Sequence, residues 1–81
     1  MVIIRKRARE DGTVYEIEDF SAYAAELRRR NIDVPLVKYS VFIAHETEQA
    51  IRSTCSDLEA QLALFFRIGP SSGIDYQIRE T

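Results

Sequence analysis

Between Thr47 and Ile68 the chain reads TEQAIRSTCSDLEAQLALFFRI, and Ile51, Cys55, Leu58, Leu62 and Phe65 recur at steps of four, three, four and three. That period lays one apolar stripe along one side of an α-helix. Gly69 accepts the left-handed conformation found at helix ends, and Pro70 forbids continuation. A helix over 47–68 spans about 30 Å, close to the width of a small domain, so the other elements have to pack against it. A rival signal lies inside the same stretch. Ser53-Thr54-Cys55-Ser56 has poor helix propensity, and Ser56-Asp57-Leu58-Glu59 is a capping box. On that reading Gln49–Cys55 is a strand and the helix starts at Ser56. The unbroken stripe favours one helix, and a kink near residue 54 reconciles the two.

The remaining chain alternates between strand and helix signals. Residues 2–9, VIIRKRAR, and 13–18, TVYEIE, flank Asp11-Gly12, which reads as a two-residue hairpin loop with positive φ at both positions. This hairpin over 2–18 pairs Arg9 with Val14, Ala8 with Tyr15, Arg7 with Glu16 and Arg5 with Glu18. One face then carries Ile4, Ala8, Tyr15 and Ile17, with Lys6 as the exception, and the other carries Arg5, Arg7, Glu16 and Glu18. Asp19 is a good N-cap for a helix over 20–31, whose apolar face is Phe20, Tyr23, Ala24 and Leu27. Asn31 suits a left-handed C-terminal position with Ile32 folding back. Residues 34–44, VPLVKYSVFIA, read as a strand with Val37, Tyr39, Val41 and Ile43 on one face and Leu36, Lys38, Ser40 and Phe42 on the other. After a turn at Pro70–Gly73, residues 73–79 alternate cleanly as a half-buried strand. The order is ββαβαβ. We expect a single α+β domain over 1–81, with a four-stranded mixed sheet and two helices on one face.

Eighty-one residues are too few for two independent cores, and 46% hydrophobic with 30% charged residues is the composition of a folded domain. Stability of about 5 kcal/mol is expected at this size. The single cysteine, Cys55, has no intramolecular partner and sits on the apolar stripe, which favours a reducing, cytoplasmic setting. The N-terminal run places its apolar residues before its positive charges, the wrong order for a signal peptide, and no apolar run is long enough to span a bilayer.

The chain's chemistry-bearing residues are sparse. His45 and Cys55 are ten positions apart and lack further histidines or cysteines to complete a metal site, so a helix-flanking histidine and a core thiol are expected. Glu46 and Glu48 fit the first turn of a helix, where acids complement the dipole, and not a buried acid–base pair. The three glycines fall at turns and helix ends, without a phosphate-cradling loop. No catalytic residue, cofactor site or metal site is therefore expected, and the chain reads as a non-enzyme.

Two surfaces remain. Leu36, Phe42 and Phe66 are expected outside the core, as an apolar patch that binds a protein partner or a second copy of the chain. Arg5, Arg7 and Arg9 on one strand, and Arg28, Arg29 and Arg30 at a helix end, could contact phosphates or an acidic partner, although the net charge is only −2. The expected function is a small cytoplasmic protein-interaction module acting as a regulator, adaptor or inhibitor of a larger complex. Size and acidic charge are shared with phage and mobile-element inhibitors, anti-CRISPR-like proteins among them, an analogy that extends to class alone. The alternative is a nucleic-acid-binding regulator that uses the two arginine clusters.

Overall fold

In the computed structural model, which describes residues 1–33, 39–54 and 57–80, the chain runs β1 (Val2–Ala8), β2 (Gly12–Ile17), α1 (Phe20–Arg29), β3 (Ser40–Ala44), α2 (His45–Ser53), α3 (Leu58–Phe66) and β4 (Tyr76–Glu80). The four strands form one mixed sheet in the order β3-β2-β1-β4. β2 is antiparallel to both neighbours, and β4 runs parallel to β1. The α+β class and the mixed sheet are as expected. Among the described residues the helix count is three, because the stretch over 47–68 is broken.

The break has a local cause. α2 ends at Ser53 with Thr54 as its C-cap, and the hydroxyls of both turn back onto carbonyls of the last turn (Thr54 Oγ1 to Ile51 O, 2.8 Å). Such self-bonding competes with helix continuation. α3 restarts at Leu58 behind Asp57, whose carboxylate accepts the Glu59 N–H at 3.0 Å. Residues 49–53 are therefore helical and not a strand, and Cys55 and Ser56 lie outside the described residues.

The hairpin corrects the expected register. Ile4 faces Ile17, Arg5 faces Glu16, Arg7 faces Val14 and Ala8 faces Thr13. Arg9 N–H donates to the Gly12 carbonyl at 2.8 Å, so the loop is Glu10-Asp11 and not Asp11-Gly12. Gly12 belongs to β2 opposite Ala44, where a Cβ would collide with the Ile43 carbonyl and lie 2.8 Å from Ala44 Cα. This glycine serves close approach between strands instead of a positive φ. A displacement of two residues preserves the side-chain parity, so both faces keep their expected members.

The helix-facing residues Val2, Ile4, Tyr15 and Ile17 join Tyr23 and Leu27 of α1, Leu62 and Phe66 of α3, and the connecting Ile68 and Ile74 in one core. α1 starts as anticipated, with Asp19 accepting the Ala22 N–H at 3.2 Å. It ends on Asn31 at φ 58°, and Ile32 N–H returns to the Leu27 carbonyl at 2.9 Å. α3 ends in the same way, with Arg67 rather than Gly69 taking the left-handed position and Ile68 N–H bonding to the Ala63 carbonyl at 2.9 Å. Pro70–Gly73 form the expected turn, closed by Gly69 N–H to the Ile74 carbonyl at 2.8 Å.

Candidate functional site

Alternate residues of the same four strands point away from the helices, and together they make a sheet face that is bare among the described residues. Register places these side chains in rows. One row runs Arg7, Val14 and Phe42 across β1, β2 and β3. The next runs Arg79, Arg5, Glu16 and Ser40 across all four strands. Phe42 is 43% exposed. The Arg9 guanidinium lies 5.7 Å from its ring centre, within cation–π range. Arg5 Nη2 pairs with Glu18 Oε1 at 3.1 Å, while Arg7 faces Val14 and has no acid directly across the strand pair. A shallow depression of about 110 Å³ lies between Arg5, Arg7, Val14 and Glu16. Among the described residues, four arginines against two glutamates leave this face at +2 in a chain whose net charge is −2.

The other residues singled out from the sequence are distributed differently. Leu36 lies outside the described residues. Phe66 is not an exposed anchor. It is fully buried, its carbonyl accepts the Tyr23 hydroxyl at 2.7 Å, and its ring packs edge-on against Tyr39 and Phe65. The break before α3 is the reason: a stripe continued from Ile51 selects Phe65, whereas the restarted helix buries Leu62, Ala63 and Phe66. Phe65 and Leu64 are left outside instead, at 46% and 62% exposure. The Leu62–Phe66 spacing of four was the available signal.

Arg28, Arg29 and Arg30 end α1, which packs on the opposite side of the sheet from Arg5, Arg7 and Arg9. Arg29 is held by Glu26 at 2.7 Å, and Arg30 Nη1 runs against Gly73. The two clusters do not form one surface.

A second concavity, about 410 Å³, opens on the helical side among Lys6, Tyr15, Arg52, Glu59 and Glu80. Its charges answer one another. Lys6 Nζ lies 3.6 Å from Glu80, Arg52 lies 3.9 Å from Glu48, and Glu59 accepts the Tyr76 hydroxyl at 2.9 Å. Lys6 thus finds an acidic partner on the helix-facing side, which accounts for the one polar residue on that face of β1. Glu48 is buried with Oε1 unpaired, a burial that its place in the first turn of α2 did not foretell.

Three tyrosines resist ionisation. Burial, followed by the charge of Glu48, pushes Tyr15 up. Burial, followed by Tyr39, pushes Tyr23 up to about 12. Burial, followed by its hydrogen bond to Glu59, raises Tyr76. All three remain neutral at pH 7 and serve as hydrogen-bonding or packing groups.

His45 starts α2, and its backbone N–H donates to the Asp11 carbonyl at 3.1 Å. Cys55 lies outside the described residues. Among the described residues, no group of three or more His, Cys, Asp or Glu side chains could hold a metal ion, and no helix is long and apolar enough to cross a membrane. No protein-family model, curated protein or solved structure matches the chain.

Proposed function

We propose that this chain is a non-enzymatic protein-interaction module of the cytoplasm, acting as a regulator, adaptor or inhibitor through its bare sheet face. The observation that carries the reading is Phe42, 43% exposed amid arginines on an otherwise acidic chain. An aromatic anchor beside arginines is the composition of an interface hot spot. The partner is a protein surface with acidic residues around an apolar pocket. Phe42 fills the pocket, and Arg7, with no acid opposite, meets a carboxylate.

The same arginines favour a second reading, binding to nucleic acid through phosphates. Against it stands the single aromatic side chain on the described part of the face. Single-stranded nucleic acid is held by several stacked aromatics. The two readings separate in one experiment. Affinity capture from nuclease-treated lysate should retain a stoichiometric protein with wild type, and lose it with Arg7→Glu or Phe42→Asp. Material that disappears on nuclease treatment transfers the function to nucleic acid.

A further inference from the structure

We infer that the free edge of β3 pairs with β3 of a second copy, giving a two-fold dimer with one continuous eight-stranded sheet. Among the described residues, β3 has a neighbouring strand on one side only. Ile17 N–H donates to the Tyr39 carbonyl at 3.2 Å, and His45 N–H to the Asp11 carbonyl at 3.1 Å. Antiparallel alternation then turns the backbones of Val41 and Ile43 toward β2, and those of Ser40, Phe42 and Ala44 toward the free edge.

This parity suits self-pairing centred on Phe42. Phe42 exchanges both backbone bonds with Phe42 of the second copy, and each Ala44 N–H meets the other copy's Ser40 carbonyl. The strand is Ser-Val-Phe-Ile-Ala, without charge or proline, so no like charges meet, and nothing among the described residues guards the edge. β4, the opposite edge, carries Arg79 and Glu80 and is guarded. One bare edge per chain closes the assembly at two.

The helical layer identifies the occupant as a second copy and not a lone strand. A groove of about 410 Å³ runs between β3 and α3, lined by Val41, Ile43, Leu64 and Phe65. Leu64 and Phe65 belong to the helical layer and are exposed at 62% and 46%, and a lone added strand brings no second layer to cover them, whereas a second copy brings its own α3. A two-fold axis normal to the sheet keeps both helical layers on one side, so each Leu64 and Phe65 faces its equivalent. The apolar area is modest, which predicts a weak dimer with a dissociation constant on the order of 10 µM.

The test needs only the purified chain, so its failure leaves the partner-binding reading standing. Light scattering after size exclusion should give twice the 9.3 kDa chain mass at about 200 µM. Leu64→Lys, on an exposed helix position, should weaken association at least tenfold. Phe42→Pro removes an N–H that β2 does not use, and should give single chains at every concentration. A wild-type mass of one chain at about 1 mM overturns the proposal. So does a dimer that Leu64→Lys leaves intact.

Discussion

Beneath α1 and α3, Ile4, Tyr15 and Ile17 are each at most 2% exposed. One residue along the same strands, Arg5 and Arg7 lie open, and on the neighbouring β3 so does Phe42. The sheet's two faces share a backbone and differ in what evicts water from them. Two helices cover the first face with leucine, tyrosine and phenylalanine. Nothing among the described residues covers the second, and arginine with one aromatic occupies it. On the proposed function, the difference separates stability from recognition within single strands. A change at Val2 or Ile4 of β1 is felt by the core, and a change at Arg5 or Arg7 is expected to be felt by the proposed partner.

The comparison is sharpened most by Ile4→Ala. Ile4 is fully buried, and truncation should cost about 2–5 kcal/mol. That is much of the expected total of about 5 kcal/mol, so urea denaturation should show the variant substantially unfolded. Gly12→Ala tests an exception, since Gly12 lies on the bare side yet is buried against β3. The added methyl has backbone in its way, and a loss of about 2 kcal/mol is expected from the same titration.

Tyr23→Phe removes the hydroxyl bonded to the Phe66 carbonyl and should cost about 1–2 kcal/mol. It also carries a pH signature. The native hydroxyl titrates at about 12 against an ordinary 10.0, so above pH 10 the unfolded chain releases this proton and the folded chain keeps it. Wild-type stability is therefore full below pH 10 and falls as pH rises toward 12, by roughly 2 kcal/mol. Denaturant midpoints measured from pH 9 to 12 should decline less steeply for Tyr23→Phe. The smallest expected effects on stability lie on the bare face. Phe42→Asp should cost about 1 kcal/mol through lost strand propensity, and Arg7→Glu less than about 0.5 kcal/mol. An Arg7→Glu loss comparable to that of Ile4→Ala would break the distinction between the faces.

What could be read from the sequence was local and periodic. The parity of the hairpin, the Asp19 cap, the Asn31 termination and the Pro70–Gly73 turn each depend on residues within a few positions of one another. Part of what escaped depends on distant contacts. Gly12 carries two opposite meanings, a positive-φ turn or a strand that must admit a neighbour, and only β3 decides between them. The break in the stretch over 47–68 has local signals in Ser53, Thr54 and Asp57, but an unbroken apolar stripe outweighs them in the sequence, and the break exchanges the places of Phe65 and Phe66. Of the candidate partner-binding residues, Phe42 lies exposed because strand parity fixes its side. The burial of Glu48 had no counterpart in its sequence neighbourhood.

The central claim, that the bare face is the recognition surface, is tested most directly by parallel affinity capture on nuclease-treated lysate. Wild type, Arg7→Glu and Arg28→Glu would be compared, with recovered proteins quantified by mass spectrometry. The account predicts that a stoichiometric partner is retained by wild type and by Arg28→Glu, whose charge change lies at the end of α1, and is lost by Arg7→Glu. Retention by Arg7→Glu together with loss by Arg28→Glu would place recognition on the helical side and contradict it.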